Sequence, residues 1–532
     1  MIDRKMSELE NALVSKAMRG DKLICPRMSP DSLRRTTSHA HVIHADLILD
    51  LLLGRLGHHL HPRGIGIRYA HIVSDAPIDM RSMTFPVGIH LKYCVFDSPV
   101  IAHDVEVPWL CFDDCEMPYF HADRIRVEGS LFLRGLRTTG AHRFGSVRLL
   151  GAKINGNLEA DGTTLHNTAG AAIHAEGIHI GRSLFFRNSD AVVNCDTGAV
   201  QLVNATIGGD VRCDNTHIRN NGGPVLNAET AHVSGSVLLC RNFVAEGSSS
   251  KIATINLVAA NIQSRLDFGS GHKLVGLSHH APSPEDPGKP AKVLNSGQGL
   301  AIDLRCASAT RLCLPPDAIC DGRAKNCDDG RRFQLAGLRY STLSSECSAY
   351  EPWLHLLDQH THLYEAEPYH QLATVMQAAG HERDARRVLI RQQARRYQAY
   401  KPKWWPARAW HWVKHVVIGY GYKPWGALIG LGLVFVLALA LSWFSHRHSL
   451  IEHFPLSTPY LFQPCSGGEA MKLAADLSIP LINTGGRLRC DFKADTSHWW
   501  YLAGLGLQIF GWAFTTLFVA GFSGVVRKVQ KP

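Results

Sequence analysis

A nine-residue pattern that returns every 26 to 29 residues constrains this chain more than any other feature. Between residues 122 and 268 it reads IRVEGSLFL, AKINGNLEA, IHIGRSLFF, ATIGGDVRC, AHVSGSVLL and ANIQSRLDF. Apolar residues alternate with other residues in every copy, which is typical of a β-strand with one buried face. A fixed period indicates one supersecondary unit stacked many times. The fifth positions, spaced by 27, 26, 27, 26 and 29 residues, are Gly129, Gly156, Arg182, Gly209, Gly235 and Ser264.

We therefore predict a mainly β fold, a right-handed β-helix (solenoid) with about one coil per unit, followed by a helix pair and two transmembrane α-helices. The thiols of Cys213 and Cys240 fall in or beside apolar strands and are expected to fill the core. The Pro- and Gly-rich segment 270–299 is expected to be a loop insertion. A β-sandwich is the rival fold, but its strands would recur at about 8–12 residues.

Two uncharged stretches predict membrane-spanning helices, at residues 425–444 and 499–522. Twenty residues at about 1.5 Å each extend for about 30 Å, the thickness of a bilayer hydrocarbon core. Trp and Tyr residues lie at their ends, as in aromatic belts. Lys and Arg are concentrated before the first stretch and after the second, while the 445–498 loop has five, widely spread. The positive-inside rule therefore predicts a multi-pass protein of the bacterial inner membrane with both termini cytoplasmic. Residues 1–20 have no apolar run typical of a cleavable signal peptide.

These features divide the chain into seven parts. They are an N-terminal helical cap (1–60), a cytoplasmic repeat domain (61–345), a helical neck with an interfacial segment (346–424), the first span (425–444), an extracytoplasmic loop (445–498), the second span (499–522) and a cytoplasmic tail (523–532). In the neck, 368–380 and 381–400 have helical spacing and form an expected helix pair. The following segment interleaves aromatic and basic residues, which suits the membrane surface. Its interface candidates are Trp404, Trp405, Arg408, Trp412, Lys414 and Lys423.

Cysteine placement agrees with this topology. Twelve of the 14 Cys precede the first span, where a reducing cytoplasm favours thiols. Cys465 and Cys490 both lie in the extracytoplasmic loop, so we predict a disulfide between them, with two free thiols as the alternative.

Motifs for catalysis, cofactors and metals are weak throughout. Cys306, Cys313, Cys320 and Cys327 recur every seven residues, which does not match the short pairs typical of zinc sites. For Cys111 and Cys115, packing in the core is also the preferred interpretation. Two groups of histidines are interpreted as polar residues at helix ends or in loops. Acidic residues on turns leave open a paired-carboxylate site like those of carbohydrate-acting enzymes. We therefore predict no catalytic residue, no cofactor and no metal. The histidine and acidic positions are His58, His59, His61, His446, His448, His453, Asp161, Asp190 and Asp210.

The chain resembles a known group of bacterial membrane proteins. The resemblance rests on GAKINGNLEA-type repeats, then FQLAGLRY, PYHQLATVMQAAGHERDARRVLI and GYGYKPWGAL, in that order. Members have N-terminal pentapeptide-like or bactofilin-like β-helix repeats and two C-terminal spans, and are often labelled membrane-associated oxidoreductases. The resemblance implies the same layout from about residue 45 to the second span.

The leading functional hypothesis is a non-enzymatic, membrane-anchored scaffold or protein-interaction module. Its expected partners are the lipid bilayer and either another protein or a second copy of the chain. The net charge of +10 is spread over 532 residues and predicts no nucleic-acid partner. One alternative is a membrane-associated enzyme, an oxidoreductase or a carbohydrate-acting enzyme, with a site on the β-helix face. The other is an oligomeric channel or membrane-permeabilising protein.

Overall fold

The chain divides into two compact units, Met1–Asp384 and Ala385–Pro532. The computed structural model describes residues 6–270, 288–297, 299–315, 318, 332–361, 364–399, 425–448, 450–453, 465–479, 484–485, 490–492 and 498–522.

Three short helices open the first unit: α1 (Glu8–Arg19), α2 (Pro30–Arg35) and α3 (Ala45–Leu52). Helix α1 begins with a capping box, in which the Ser7 and Glu10 side chains each accept a hydrogen bond from the other residue's backbone N–H. It ends at Gly20, whose φ of 76° suits a residue without a Cβ. Helix α2 has Pro at its first turn, where no N–H is needed.

Most of the first unit consists of three sheets with parallel pairing. Sheet 1 contains Leu23–Ile24, Ile65–Arg68, Ile89–Lys92, Glu106–Val107, Leu110–Asp113, Arg126–Val127, Leu131–Phe132, Lys153–Ile154, Leu158–Glu159, His179–Ile180, Leu184–Phe185, Thr206–Ile207, Val211–Arg212, His232–Val233, Val237–Leu238, Asn261–Asp267, Ser308–Cys313 and Arg339–Leu343. Sheet 2 contains Val42–His44, His71–Val73, Val95–Phe96, Glu116–Met117, Arg137–Thr138, Thr164–Asn167, Asp190–Val193, His217–Asn220, Val244–Gly247 and Lys292–Asn295. Sheet 3 contains Ile78–Asp79, Val100–Ile101, Phe120–His121, Val147–Arg148, Ile173–His174, Val200–Gln201, Leu226–Asn227, Ile255–Asn256, Leu300–Asp303 and Arg332–Gln334.

The strand register reproduces the sequence period. Val127 pairs with Ile154, which pairs with Ile180, and the row continues through Ile207 and Val233. All five side chains are buried. Equivalent positions of successive repeats therefore stack in rows, and burial of these rows forms the core.

The expected fold class, a mainly β chain built as a right-handed β-helix, is wrong. The described residues are 29% helix and 27% strand, and their three large parallel sheets are combined with helices in an α/β-like arrangement rather than a mainly β solenoid. The alternation of apolar residues led to an overestimate of the strand content, because most strands are only two to four residues long and are separated by turns. Periodicity located the strands but did not fix the proportion of the chain that they occupy.

Two further differences concern the end of the sheet region. Lys292–Asn295, inside the expected loop insertion, is a strand of sheet 2 that pairs with Val244–Gly247, while residues 271–287 of that insertion lie outside the described residues. After the last strands come a 3₁₀ turn (Ser345–Cys347) and a helix α4 (Tyr350–Gln359), which lies inside the expected helical neck but was not predicted as a helix of its own. The indole N–H of Trp353 donates to the carbonyl of Cys347 at 2.8 Å, so the turn and the helix are tied together.

The expected helix pair is present as α5 (Glu367–Ala378) and α6 (Glu382–Ala399). Tyr369 of α5 donates its hydroxyl hydrogen bond to Asp358 of α4, at 2.8 Å and in a buried position. Gln371 donates to the carbonyl of Tyr340 at 2.7 Å, which attaches α5 to the last strand of sheet 1.

The second unit contains α7 (Trp425–Arg447), α8 (Gly467–Ser478), α9 (His498–Phe522) and an antiparallel pair, Ile451–His453 with Cys490–Phe492. Within α7 and α9, Gly426–Arg447 and Leu502–Val519 are long and apolar enough to cross a membrane, judged by length and composition. Helix α8 lies between them in the chain and was not predicted.

Helices α7 and α9 pack in antiparallel fashion. The rings of Phe444 and Trp500 stack with centroids 5.4 Å apart, and Gly430 packs against the ring of Phe514. Helix α8 packs against both long helices, because its buried face joins a cluster with Ala438 of α7 and contacts Leu507 of α9. The backbone of Ser478, the last residue of α8, lies directly against Gly511. Gly511 is eleven residues beyond Trp500, so this contact lies about 17 Å along α9 from the aromatic pair.

Candidate functional site

A repeated polar face follows from the register of sheet 1. The residue before each buried Val or Ile points away from the core, as alternation requires. Eight positions of this register, from Arg126 onward, are three Lys or Arg, two His and three neutral polar residues, most of them exposed. The position before them is Glu106, which forms a 2.7 Å ion pair with Arg126. We call the eight positions the polar row; its members are Arg126, Lys153, His179, Thr206, His232, Asn261, Ser308 and Arg339. At about 4.8 Å per strand, it extends for about 34 Å.

A cluster of closely packed rings lies on the outer side of sheet 3. The rings of Tyr119, His121 and His142 lie with centroids 4.4 to 4.7 Å apart. A ring nitrogen of His121 forms a 2.9 Å hydrogen bond with the carbonyl of Gly145. The guanidinium of Arg148 covers the neighbouring Phe144 ring at 4.9 Å. The imidazoles of this cluster can take up protons.

The electrostatics of this cluster are set by burial and by one carboxylate. Asp123 is buried and pairs with Arg148 at 3.0 Å, and its backbone N–H donates to Nδ1 of His103 at 3.0 Å. Burial lowers the pKa of His121 to about 4, with His142 and Arg148 contributing to the shift. Burial also lowers the pKa of His103 and His142. These imidazoles are therefore neutral at physiological pH.

A second constellation joins three residues from neighbouring strands of sheet 1. His90 lies opposite Cys111, and Lys92 lies opposite Asp113. Potential ligand atoms of His90, Cys111 and Asp113 all lie within 4.8 Å of one another. Cys111 and Asp113 are buried, and His90 is half-buried. Such atoms can hold a metal ion. Sequence analysis considered Cys111 but missed its partners, because His90 precedes it by 21 residues; the strand register was the signal that could have found them.

The seven-residue cysteine series does not form one site among the described residues. Cys306 is exposed, whereas Cys313 is buried with its sulfur 2.7 Å from that of Cys347. Cys320 and Cys327 lie outside the described residues. Cys115, Cys213 and Cys240 are buried, as expected of core residues.

The acidic candidates connect neighbouring repeats. Asp161 accepts hydrogen bonds from both the backbone and the guanidinium of Arg187, at 2.8 and 3.1 Å. Asp190 pairs with His166 at 3.1 Å, and Asp210 accepts the backbone N–H of Ser236 at 2.7 Å. Each of the three carboxylates therefore interacts with a residue of the next or the previous repeat. None of these contacts joins two of the three carboxylates.

The histidine candidates are also placed apart. His58 and His59 are exposed after α3, while His61 accepts the backbone N–H of Arg63 at 3.1 Å. His446 and His448 lie at the end of α7. The side chain of His453 lies outside the described residues.

In the second unit, the structure joins Cys465 and Cys490 in a disulfide, with Cα atoms 6.3 Å apart. Glu469 lies beside this pair, but the bonded sulfurs are not available as thiolate ligands. The interface candidates Trp404, Trp405, Arg408, Trp412, Lys414 and Lys423 all lie outside the described residues. No protein-family model, curated protein or solved structure matches this chain.

Proposed function

We propose that this protein is a membrane-anchored scaffold whose sheet region binds a partner protein through the polar row. The observation that carries the proposal is the row itself: eight in-register positions, three of them Lys or Arg, extend for about 34 Å on one side of sheet 1. The basic members, of which Arg126 is already paired with Glu106, favour a partner with an acidic surface.

The membrane part of the proposal rests on α7 and α9. Both are long and apolar enough to cross a bilayer. The excess of Lys and Arg before α7 and after α9 favours a cytoplasmic location for the sheet region, in the bacterial inner membrane. Membership of the membrane-protein group that the sequence resembles is part of the same proposal.

A photo-crosslinking experiment tests the scaffold. A photoreactive amino acid replaces Lys153 or His179 of the polar row in the full chain, and native membranes are irradiated. We expect discrete protein adducts at these two positions and none at His166, an exposed position on sheet 2 that serves as the matched control. Equal adducts at all three positions, or no protein adduct in the polar row, would contradict the proposal.

A further inference from the structure

We propose that His90, Cys111 and Asp113 bind a divalent transition-metal ion, Zn²⁺ by preference, with water at the fourth position. The inference concerns the first unit and goes beyond the scaffold proposal. Parallel pairing places His90 beside Cys111 and brings Asp113 onto the same outer face of sheet 1, two residues along the strand. The three side chains thus come from two neighbouring strands, whose backbones hold their separation fixed.

The spacing of the ligand atoms fits a metal centre. All three atoms lie within 4.8 Å of one another. Ligands of tetrahedral zinc at about 2.0–2.3 Å from the ion are about 3.3–3.8 Å apart, so modest rotamer adjustment closes the site. Imidazole, thiolate and carboxylate are all ligands that zinc accepts, and three protein ligands leave one position open.

A buried ring nitrogen without a hydrogen-bond partner among the described residues also supports a metal site. The Nε2 atom of His90 is buried and has no hydrogen-bond partner among the described residues. Leaving a buried polar atom unpaired costs about 1–3 kcal/mol. A bond from the ring nitrogen to a metal ion would satisfy it.

The surroundings hold the ligands in place. Arg134 donates from Nε to one Asp113 oxygen at 3.0 Å and from its terminal nitrogen to the other, which fixes the carboxylate plane. The Trp109 indole meets the His90 ring edge-on, with centroids 6.2 Å apart. Gly88 makes room for that indole, because a Cβ at this position would collide with it.

Charges near the site are balanced by the ligands. Lys22, Arg68 and Lys92 lie near His90 and oppose a bare cation. Coordination by a thiolate and a carboxylate supplies two negative charges, which neutralise the divalent ion. Because the Cys111 thiol is buried, metal binding has to displace its proton.

Cobalt spectroscopy on the full chain in detergent tests the site. After chelator treatment, the protein is titrated with Co²⁺ alone. We expect one equivalent to produce a thiolate-to-cobalt charge-transfer band and the strong visible bands of tetrahedral cobalt, and Zn²⁺ to remove both. Cys111→Ser should abolish the charge-transfer band, and His90→Gln and Asp113→Asn should each weaken Co²⁺ binding at least tenfold.

The matched control is Cys213→Ser, which alters another buried thiol of the same sheet region and should leave the spectrum unchanged. Circular dichroism of each variant shows whether it is folded. If Cys111→Ser fails to fold, the Co²⁺ affinity of the His90→Gln variant decides the question, because His90 is partly exposed. Absence of a cobalt–thiolate band in the wild-type chain, or its persistence in folded Cys111→Ser, would overturn the proposal. Neither result depends on the polar row, so the scaffold proposal is tested separately.

Discussion

At the residue scale, one step along a strand decides whether a side chain stabilises the core or faces outward. Ile207 and Thr206 are neighbours in a strand of sheet 1, yet Ile207 is 0% exposed and Thr206 is exposed. Ile207 stacks between Ile180 and Val233 of the adjacent repeats. A missing side chain in this row removes contacts on both sides.

We therefore expect Ile207→Ala to lower the free energy of unfolding by about 2–5 kcal/mol, through lost burial and a residual cavity. Thr206→Ala, the matched control on the outer side, should cost less than about 1 kcal/mol. Thermal or denaturant unfolding of the purified chain, followed by circular dichroism, measures both. Equal effects of the two substitutions would contradict the assigned strand orientation.

His121 predicts a pH dependence of stability. Burial lowers its pKa to about 4, while an unfolded histidine titrates near 6.5. Between these values the unfolded state binds more protons, so stability falls as the pH falls through this window. His121→Gln can keep a donor to the Gly145 carbonyl and should make the fall in melting temperature between pH 7 and 5 shallower.

Thr206→Ala is the control for this measurement, because it changes an exposed side chain that carries no titratable group. It should leave the pH dependence unchanged. A wild-type melting temperature that rises on acidification, or an identical pH profile for His121→Gln, would show that the buried imidazoles do not titrate as described.

The sequence predicted the core positions well but not the metal-ligand cluster. Period-two alternation within each repeat identifies Val127, Ile154 and Ile180 as equivalent buried positions. In contrast, His90 and Cys111 belong to the irregular repeats before residue 122, where spacing alone did not reveal which residues pair. Their proximity is a property of strand register, which tertiary structure sets.

At the element scale, the contact between α8 and α9 depends on one glycine. Gly511 has the Ser478 backbone directly against it, whereas Gly506 of the same helix has open space where a Cβ would lie. The two glycines therefore give a matched pair within a single helix.

We expect Gly511→Ala to destabilise the second unit by about 1–3 kcal/mol, because the added methyl group overpacks the contact. Gly506→Ala should be neutral or stabilising by up to about 1 kcal/mol, since Ala favours helix more than Gly does. Melting temperatures in one detergent would compare them. A neutral Gly511→Ala would contradict the close approach of α8 to α9.

The sequence predicted the helices that coincide with long uncharged stretches. It did not predict the short helices whose stability depends on packing against neighbouring elements. Helices α7 and α9 follow from uncharged stretches of membrane length. Helices α4 and α8 are 10 and 12 residues long and are stabilised by packing, through Trp353 in α4 and Leu473 and Leu477 in α8. The mainly β expectation failed partly because such helices were missed.

At the scale of the whole molecule, the chain contains a region of stacked sheets and a pair of apolar helices. The polar row and the proposed metal centre belong to the first unit, and the disulfide, α8 and the two long helices belong to the second. The central claim is that the second unit anchors the chain in a membrane with the sheet region on the cytoplasmic side.

Labelling of intact cells with a membrane-impermeant maleimide tests this claim most directly. Cysteine is introduced at Ser466, beside the disulfide, or at Lys153, in the polar row; both positions are exposed. We predict that Ser466→Cys reacts in intact cells and that Lys153→Cys reacts only after the membrane is permeabilised. Reaction of Lys153→Cys in intact cells, or release of the chain from membranes by alkaline carbonate, would contradict the account.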